Sequence, residues 1–187
     1  MKKTKQVLRM VVMSLSVITY ATTAEAYDHL KEARKEIRQG NYTQAEQTIA
    51  SRGRHDLAGN AYQANQDLKN GNAGLALRDL NAAIAVRRLH DVENGRGNNN
   101  YDHLKAAETV LRAAGRDVAG GRNGAADANV KAAEQIIEQR NRHDLGGKAR
   151  DAENALDNWV PGNGQIPNAI KDLESARQIR KLHNEGF

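Results

Sequence analysis

The 187-residue chain has no cysteine, two prolines, one tryptophan and one phenylalanine, and aromatic residues make up only 4% of it. Without cysteine there is no disulfide bracing, no thiolate nucleophile and no lipidated bacterial N-terminus. Serine is nearly as scarce: after residue 26 only Ser51 and Ser175 occur. Both lie in segments expected to be helical and neither sits in a strained turn, so a serine triad has no foothold. No helical Glu-x-x-His pair or His-Glu-x-x-His run occurs, which removes support for di-iron and zinc-protease chemistry. Most carboxylates, such as Glu32 and Glu36 beside Arg34 and Lys35, have the spacing of a solvated helix face. The expectation is a protein that is not an enzyme, with no catalytic residue to nominate.

A long apolar run is also missing. Lys2, Lys3, Lys5 and Arg9 precede a mostly apolar stretch from Met10 to Ala21, and Ala24-Glu25-Ala26 offers small residues at the two positions a signal peptidase reads. That pattern predicts a secretory signal peptide over 1–26. A retained anchor needs about 20 uninterrupted apolar residues, and Ser14, Ser16, Thr19, Thr22 and Thr23 interrupt this stretch. The expected product is soluble, periplasmic or secreted, and free of a membrane anchor once cleaved after Ala26.

Cleavage changes the charge arithmetic. The whole chain carries 28 basic and 23 acidic residues, net +5. Four basic residues and one acidic residue leave with the signal, so 24 stand against 22 over residues 27–187. A net charge of +2 argues against nucleic acid as a partner, because such proteins concentrate a large basic excess to displace counterions. Leu, Ile, Val and Phe supply 28 of these 161 residues and alanine another 26. Alanine is the strongest helix former, so the composition predicts helices approaching closely around a thin core.

What the chain does have is a repeat. Tyr27-Asp28-His29-Leu30-Lys31 recurs as Tyr101-Asp102-His103-Leu104-Lys105, an offset of 74. Ala45-Glu46-Gln47 and Arg54-His55-Asp56-Leu57 recur as Ala133-Glu134-Gln135 and Arg142-His143-Asp144-Leu145, an offset of 88. Ala76, Asp79, Leu80, Ala83, Arg87, Leu89 and His90 recur 93 residues later, from Ala169 to His183. A tandem duplication follows, with 14 and then 5 extra residues in the second copy. Apolar spacing is helical: Leu30, Ala33 and Ile37; Leu57, Ala61, Ala64 and Leu68; Leu77, Leu80 and Ile84. A shorter helix is expected around Tyr42 to Ser51, and Gly40-Asn41, Gly53 and Asn70-Gly71-Asn72 mark turns. The expected fold class is all-α, two up-down four-helix units over 27–94 and 101–187 with a linker over 95–100.

The turn region Gln39-Gly40-Asn41-Tyr42, with Ala45, and Lys69-Asn70-Gly71-Asn72, with Ala76, resembles that of tetratricopeptide-type hairpins, without their 34-residue period or aromatic positions. The Gly-Asn-centred hairpins, with the turn from Asn70 to Ala76, also resemble small periplasmic metal-binding proteins built as histidine-rich four-helix bundles. The resemblance covers one or two hairpins per copy, and the histidines that line such bundles are missing from those hairpins. It implies a helical-hairpin fold and divalent-metal binding.

Up-down topology converts sequence position into location. The starts of helices one and three and the end of helix four fall at one pole, which collects His29, His55 and His90 in the first copy and His103, His143 and His183 in the second. Three imidazoles, with Asp28, Asp56 or Asp91 as further ligands, would suit zinc or copper. The same pole carries Arg52, Arg54, Arg87 and Arg88, matched by Arg140, Arg142, Arg180 and Lys181, which repel a divalent cation and suit an anionic ligand or acidic partner. The alternative is structural: Asp28, Asp56, Asp102 and Asp144 cap helix starts while cations complement helix ends.

The extra residues of the second copy fall at the opposite pole. Gly115 to Ala128 reads as a flexible glycine loop lacking the Gly-Lys-Ser/Thr of a phosphate-binding loop. Val160 to Pro167, next to Trp159, holds both prolines, and Pro167 suits the first turn of a helix. Trp159 and Ile166 either plug the bundle or make a rigid apolar contact for a partner. The functional expectation is an exported helical binding or structural protein with an unidentified protein or small ligand as partner. A periplasmic zinc or copper binder and a stress or chaperone-like protein are the alternatives.

Overall fold

The computed structural model describes residues 28–51, 58–95, 102–139, 146–157 and 159–186. The helices among them are α1 (His29–Arg38), α2 (Tyr42–Ala50), α3 (Asn60–Lys69), α4 (Ala73–Glu93), α5 (His103–Ala119), α6 (Asn123–Glu138), α7 (Lys148–Leu156) and α8 (Gln165–Asn184). No strand occurs among the described residues, so the chain is all-α as the periodicity requires. No helix among them is long and apolar enough to cross a membrane. The signal segment and most of the expected linker lie outside the described residues.

Three hairpins close on the same turn. After α1, α3 and α5 the chain passes through Gly40, Gly71 and Gly121, with φ of 81°, 75° and 70°. In each, the next N–H reaches back to a carbonyl of the last helical turn: Asn41 to Glu36 at 2.9 Å, Asn72 to Asp67 at 2.7 Å and Arg122 to Asp117 at 2.8 Å. The glycine N–H bonds the carbonyls of Ile37, Leu68 and Val118 at 2.9 to 3.0 Å. This paired arrangement is the Schellman motif, which satisfies orphan carbonyls and needs a residue that tolerates positive φ.

The helices pack in rings. α1 touches α2 and α4, and α2 and α4 both touch α3. In the C-terminal half, α5 touches α6 and α8, and α7 touches the same two. α4 also packs against α5 and α6, which joins the halves. One apolar cluster contains Leu30, Ile37, Ile49, Leu68, Leu80 and Ile84; the other takes Val86 and Leu89 of α4 together with Leu104, Leu111, Ile136 and Leu173. α4 therefore serves both clusters, Leu80 and Ile84 packing into one and Val86 and Leu89 into the other, while Arg78, Arg88 and Glu93 stay exposed. Alanines at 33, 45, 64, 76, 83, 107, 114, 126, 133, 152 and 169 are wholly inaccessible, which lets helix backbones approach closely.

Glu36, expected on a solvated helix face, is only 3% exposed, and two further expectations need correction. The segment 115–128 is not a loop. α5 has 17 residues where α1 has 10, and α6 has 16 where α2 has 9, so each arm of the hairpin is seven residues, about two turns, longer. Gly115 and Gly124 sit within helices, each costing only about 1 kcal/mol against alanine, while Ala113, Ala114, Ala119, Ala125, Ala126 and Ala128 favour the helix. The second concerns where α3 and α7 start; Asp56 and Asp144, expected as their caps, lie outside the described residues. Those helices begin at Asn60 and Lys148, after Gly59 and Gly147 with φ of 75° and 70°, and a left-handed residue cannot lie inside a right-handed helix. The five extra residues before α8 do form loop: eight residues separate α7 from α8, against three between α3 and α4.

Candidate functional site

Three polar features stand out against this alanine-rich frame. The first is a buried seam where α3 and α4 meet α5 and α6. Asn60 Nδ2 donates to Asn129 Oδ1 at 2.7 Å, and Asn129 Nδ2 donates back to Asn60 Oδ1 at 3.2 Å and on to Asp117 Oδ2 at 2.9 Å. Asp117 also accepts from Arg122 Nε at 2.9 Å and Nη2 at 2.8 Å. Beside this chain, Asp79 is paired with Arg116, and Gln63 donates to Asp67 at 3.3 Å. Asn129 is inaccessible and Asp79 is 4% exposed. Burial pushes the Asp79 carboxyl up to about 6; Arg116 opposes the shift and the neighbouring Asp67 adds to it. A seam of this kind fixes register, because any slip leaves buried polar groups unpaired at about 1–3 kcal/mol each.

Sequence reasoning missed the seam, although a signal was present. Val110, Ala113, Ala114 and Asp117 occupy i, i+3, i+4 and i+7 of one helix face, and Asp79 stands between Ala76 and Ala83. A carboxylate on an apolar stripe is a buried partner or a break in the stripe.

The second feature is the basic pole. His29, at the start of α1, is buried with its Nδ1 3.3 Å from Arg87 Nη1. Asp28 lies 2.9 Å from Lys31 and 3.5 Å from Arg87. Burial works against its carboxylate, but the Lys31 hydrogen bond and the charges of Lys31 and Arg87 prevail and hold its pKa below the ordinary value. In the C-terminal half Asp102 caps α5 through the Lys105 N–H at 3.0 Å and lies 3.6 Å from Arg180, the position matching Arg87. Arg177 joins it at 3.4 Å and reaches Glu108 at 2.7 Å, and Lys181 lies 3.7 Å from Glu185.

The expected histidine convergence is placed only in part. His103 is buried at the start of α5, His183 is exposed in the last turn of α8, and His90 turns to Glu93 of its own helix at 3.2 Å. Arg88 lies in α4. His55, His143, Arg52, Arg54, Arg140 and Arg142 lie outside the described residues. Among the described residues no group of three or more His, Asp or Glu is arranged to hold a metal ion.

The third feature is a groove of about 1060 Å³. α5 contributes Thr109, Arg112, Gly115 and Arg116 and touches both α4 and α8, so it forms the floor. α4 supplies Arg78 and Asn81 on one wall; α8 supplies Ile166, Ile170, Lys171 and Glu174 on the other. Trp159, Gly162 and Gly164 of the lengthened loop close one end. Trp159 also packs, half-buried, against the C-terminal apolar cluster, and Ile166 is part of that cluster, so the indole plugs the core and presents area to the groove at once.

No family model, curated protein or solved structure matches the chain.

Proposed function

We propose that the chain is an exported, non-enzymatic binding protein, that residues 27–94 and 101–187 are two copies of one four-helix unit behind a cleaved signal peptide, and that the groove over α5 is its binding surface. The copies are supported by the matched ring of helix contacts and by the Asp28–Arg87 and Asp102–Arg180 pairs at 3.5 and 3.6 Å. The observation that carries the binding reading is where the groove lies. It is walled by one helix of each half and closed by the loop that lengthens only the second half.

The lining favours binding over catalysis. It holds one carboxylate, Glu174, engaged by Arg112 at 2.6 Å, and one hydroxyl, Thr109, which donates to the Lys105 carbonyl at 2.8 Å. Glu174 is the one base in the lining, and with its carboxylate held by Arg112 and the Thr109 hydroxyl donating to its own helix the two form no base–nucleophile pair. A neutral naphthylamine probe tests the reading. Trp159 is the single tryptophan, so energy transfer from indole to probe reports a site beside it. One saturable site with transfer is expected. Directly excited probe emission should be lost in Trp159→Ala while helical circular dichroism is retained. Probe binding without transfer, or binding indifferent to Trp159→Ala, overturns the proposal.

A further inference from the structure

The cations around the groove are not equivalent. Arg112 is held by Glu108 at 3.0 Å and by Glu174 at 2.6 Å, and Arg116 is paired with the buried Asp79. Arg78 on α4 and Lys171 on α8 have no ion pair among the described residues, and both are exposed. Two uncompensated positive charges thus face the groove from opposite walls. Nothing within the lining neutralises them, so the charge complement of the groove is an anion.

The rest of the lining limits what that anion is attached to. Trp159, Ile166, Ile170, Val118 and Ala119 are apolar. The lining's uncharged polar side chains are few and partly engaged: the Asn81 oxygen accepts from Arg34 at 3.1 Å, and the Thr109 hydroxyl donates to its own helix. A sugar or nucleotide would bring many donors and acceptors to a surface with few free partners, and each left unpaired would cost affinity. A helical peptide is about 10–12 Å across and rises 5.4 Å per turn, so a groove of 1060 Å³ holds on the order of two turns of it, little apolar face to offset its ordering. A small molecule with one charged end and one flexible apolar body fits both the volume and the lining.

Resting on the binding reading above, we infer that the groove takes a monomeric single-chain anionic amphiphile, its acidic head held between Arg78 and Lys171 and its chain laid along Trp159, Ile166 and Ile170. The head gains charge-assisted hydrogen bonds and the chain gains apolar burial.

Displacement of the neutral naphthylamine probe separates this inference from the reading beneath it. Dodecanoate, dodecanol and dodecyltrimethylammonium, the ions below their micellar concentrations and dodecanol below its solubility limit, share a chain and differ in head charge. Dodecanoate should displace the probe at a concentration about tenfold below dodecanol, the ratio expected of one charge-assisted contact, with the cation weakest. In Arg78→Gln/Lys171→Gln, with helical circular dichroism retained, dodecanoate and dodecanol should fall within about twofold of each other. Lys131→Gln, exposed on α6 outside the groove, should keep the tenfold ratio. If dodecanol matches dodecanoate in the unaltered protein, the ligand class is wrong while the groove stands. If the double variant keeps the tenfold preference, Arg78 and Lys171 are not the head site. Displacement by phosphatidylglycerol vesicles or an acidic amphipathic peptide, and not by dodecanoate, also overturns the inference.

Discussion

At the residue scale the buried seam carries the sharpest chemistry. Asp79 is held above the usual carboxylate range by burial, with Asp67 beside it and Arg116 opposing. Its folded pKa of about 6 exceeds the unfolded value of 3.8, so folding takes up a proton between these pH values. Its stabilising contribution is complete below pH 3.8 and is lost as pH rises through about 6. The melting temperature should therefore rise on going from pH 7 to pH 5, and Asp79→Asn, whose amide can still accept from Arg116, should flatten that rise. Burial raises Glu134 and Glu153 as well, so the difference between the two proteins, measured by calorimetry across pH, isolates Asp79. An equal slope in both would contradict the assignment. The repeat had already singled out Asp79, matched by Asp172, but alignment cannot reveal that Asp172 meets Lys148 at 3.4 Å while Asp79 meets a helix of the other half. Pairing across 37 residues between Asp79 and Arg116 is a product of packing, and no local period encodes it.

At the element scale, helices with regular apolar spacing were readable, and so were the Gly40 and Gly71 turns that close α1 and α3. The error over 115–128 came from reading glycine number as loop. What matters is the conformation each glycine must adopt: Gly115 lies within α5, while Gly121 has φ of 70°. A Cβ on Gly115 would meet Ile166 Cγ2 at 3.8 Å, an ordinary contact. Gly115→Ala should stabilise the protein by about 0.5–1 kcal/mol in urea unfolding, and Gly121→Ala should destabilise it by about 1 kcal/mol. Equal effects of the two would mean that the segment is not an extended hairpin. The start of α3 at Asn60 has the same origin, since Gly59 at φ 75° cannot lie inside a right-handed helix.

At the scale of the whole molecule, apolar spacing makes an all-helical chain legible, but the sequence repeat says nothing of how the N- and C-terminal helices meet. That meeting is what creates the groove. Its floor and far wall come from α5 and α8, its near wall from α4, and its end from a loop in only one half. Net charge points to no partner, and the pole points to a metal or an acidic partner. Arg78 and Lys171, groove-lining cations with no ion pair among the described residues, lie at neither pole cluster but on opposite groove walls. Such residues look like any exposed Arg or Lys until their neighbours' partners are known. The most direct measurement of the account is hydrogen exchange by mass spectrometry with and without saturating dodecanoate. Slowed exchange confined to 78–81, 109–119 and 159–174 is predicted; unchanged exchange there, with protection at 28–31, 87–90 or 177–185 instead, would place the working surface at the basic poles and contradict it.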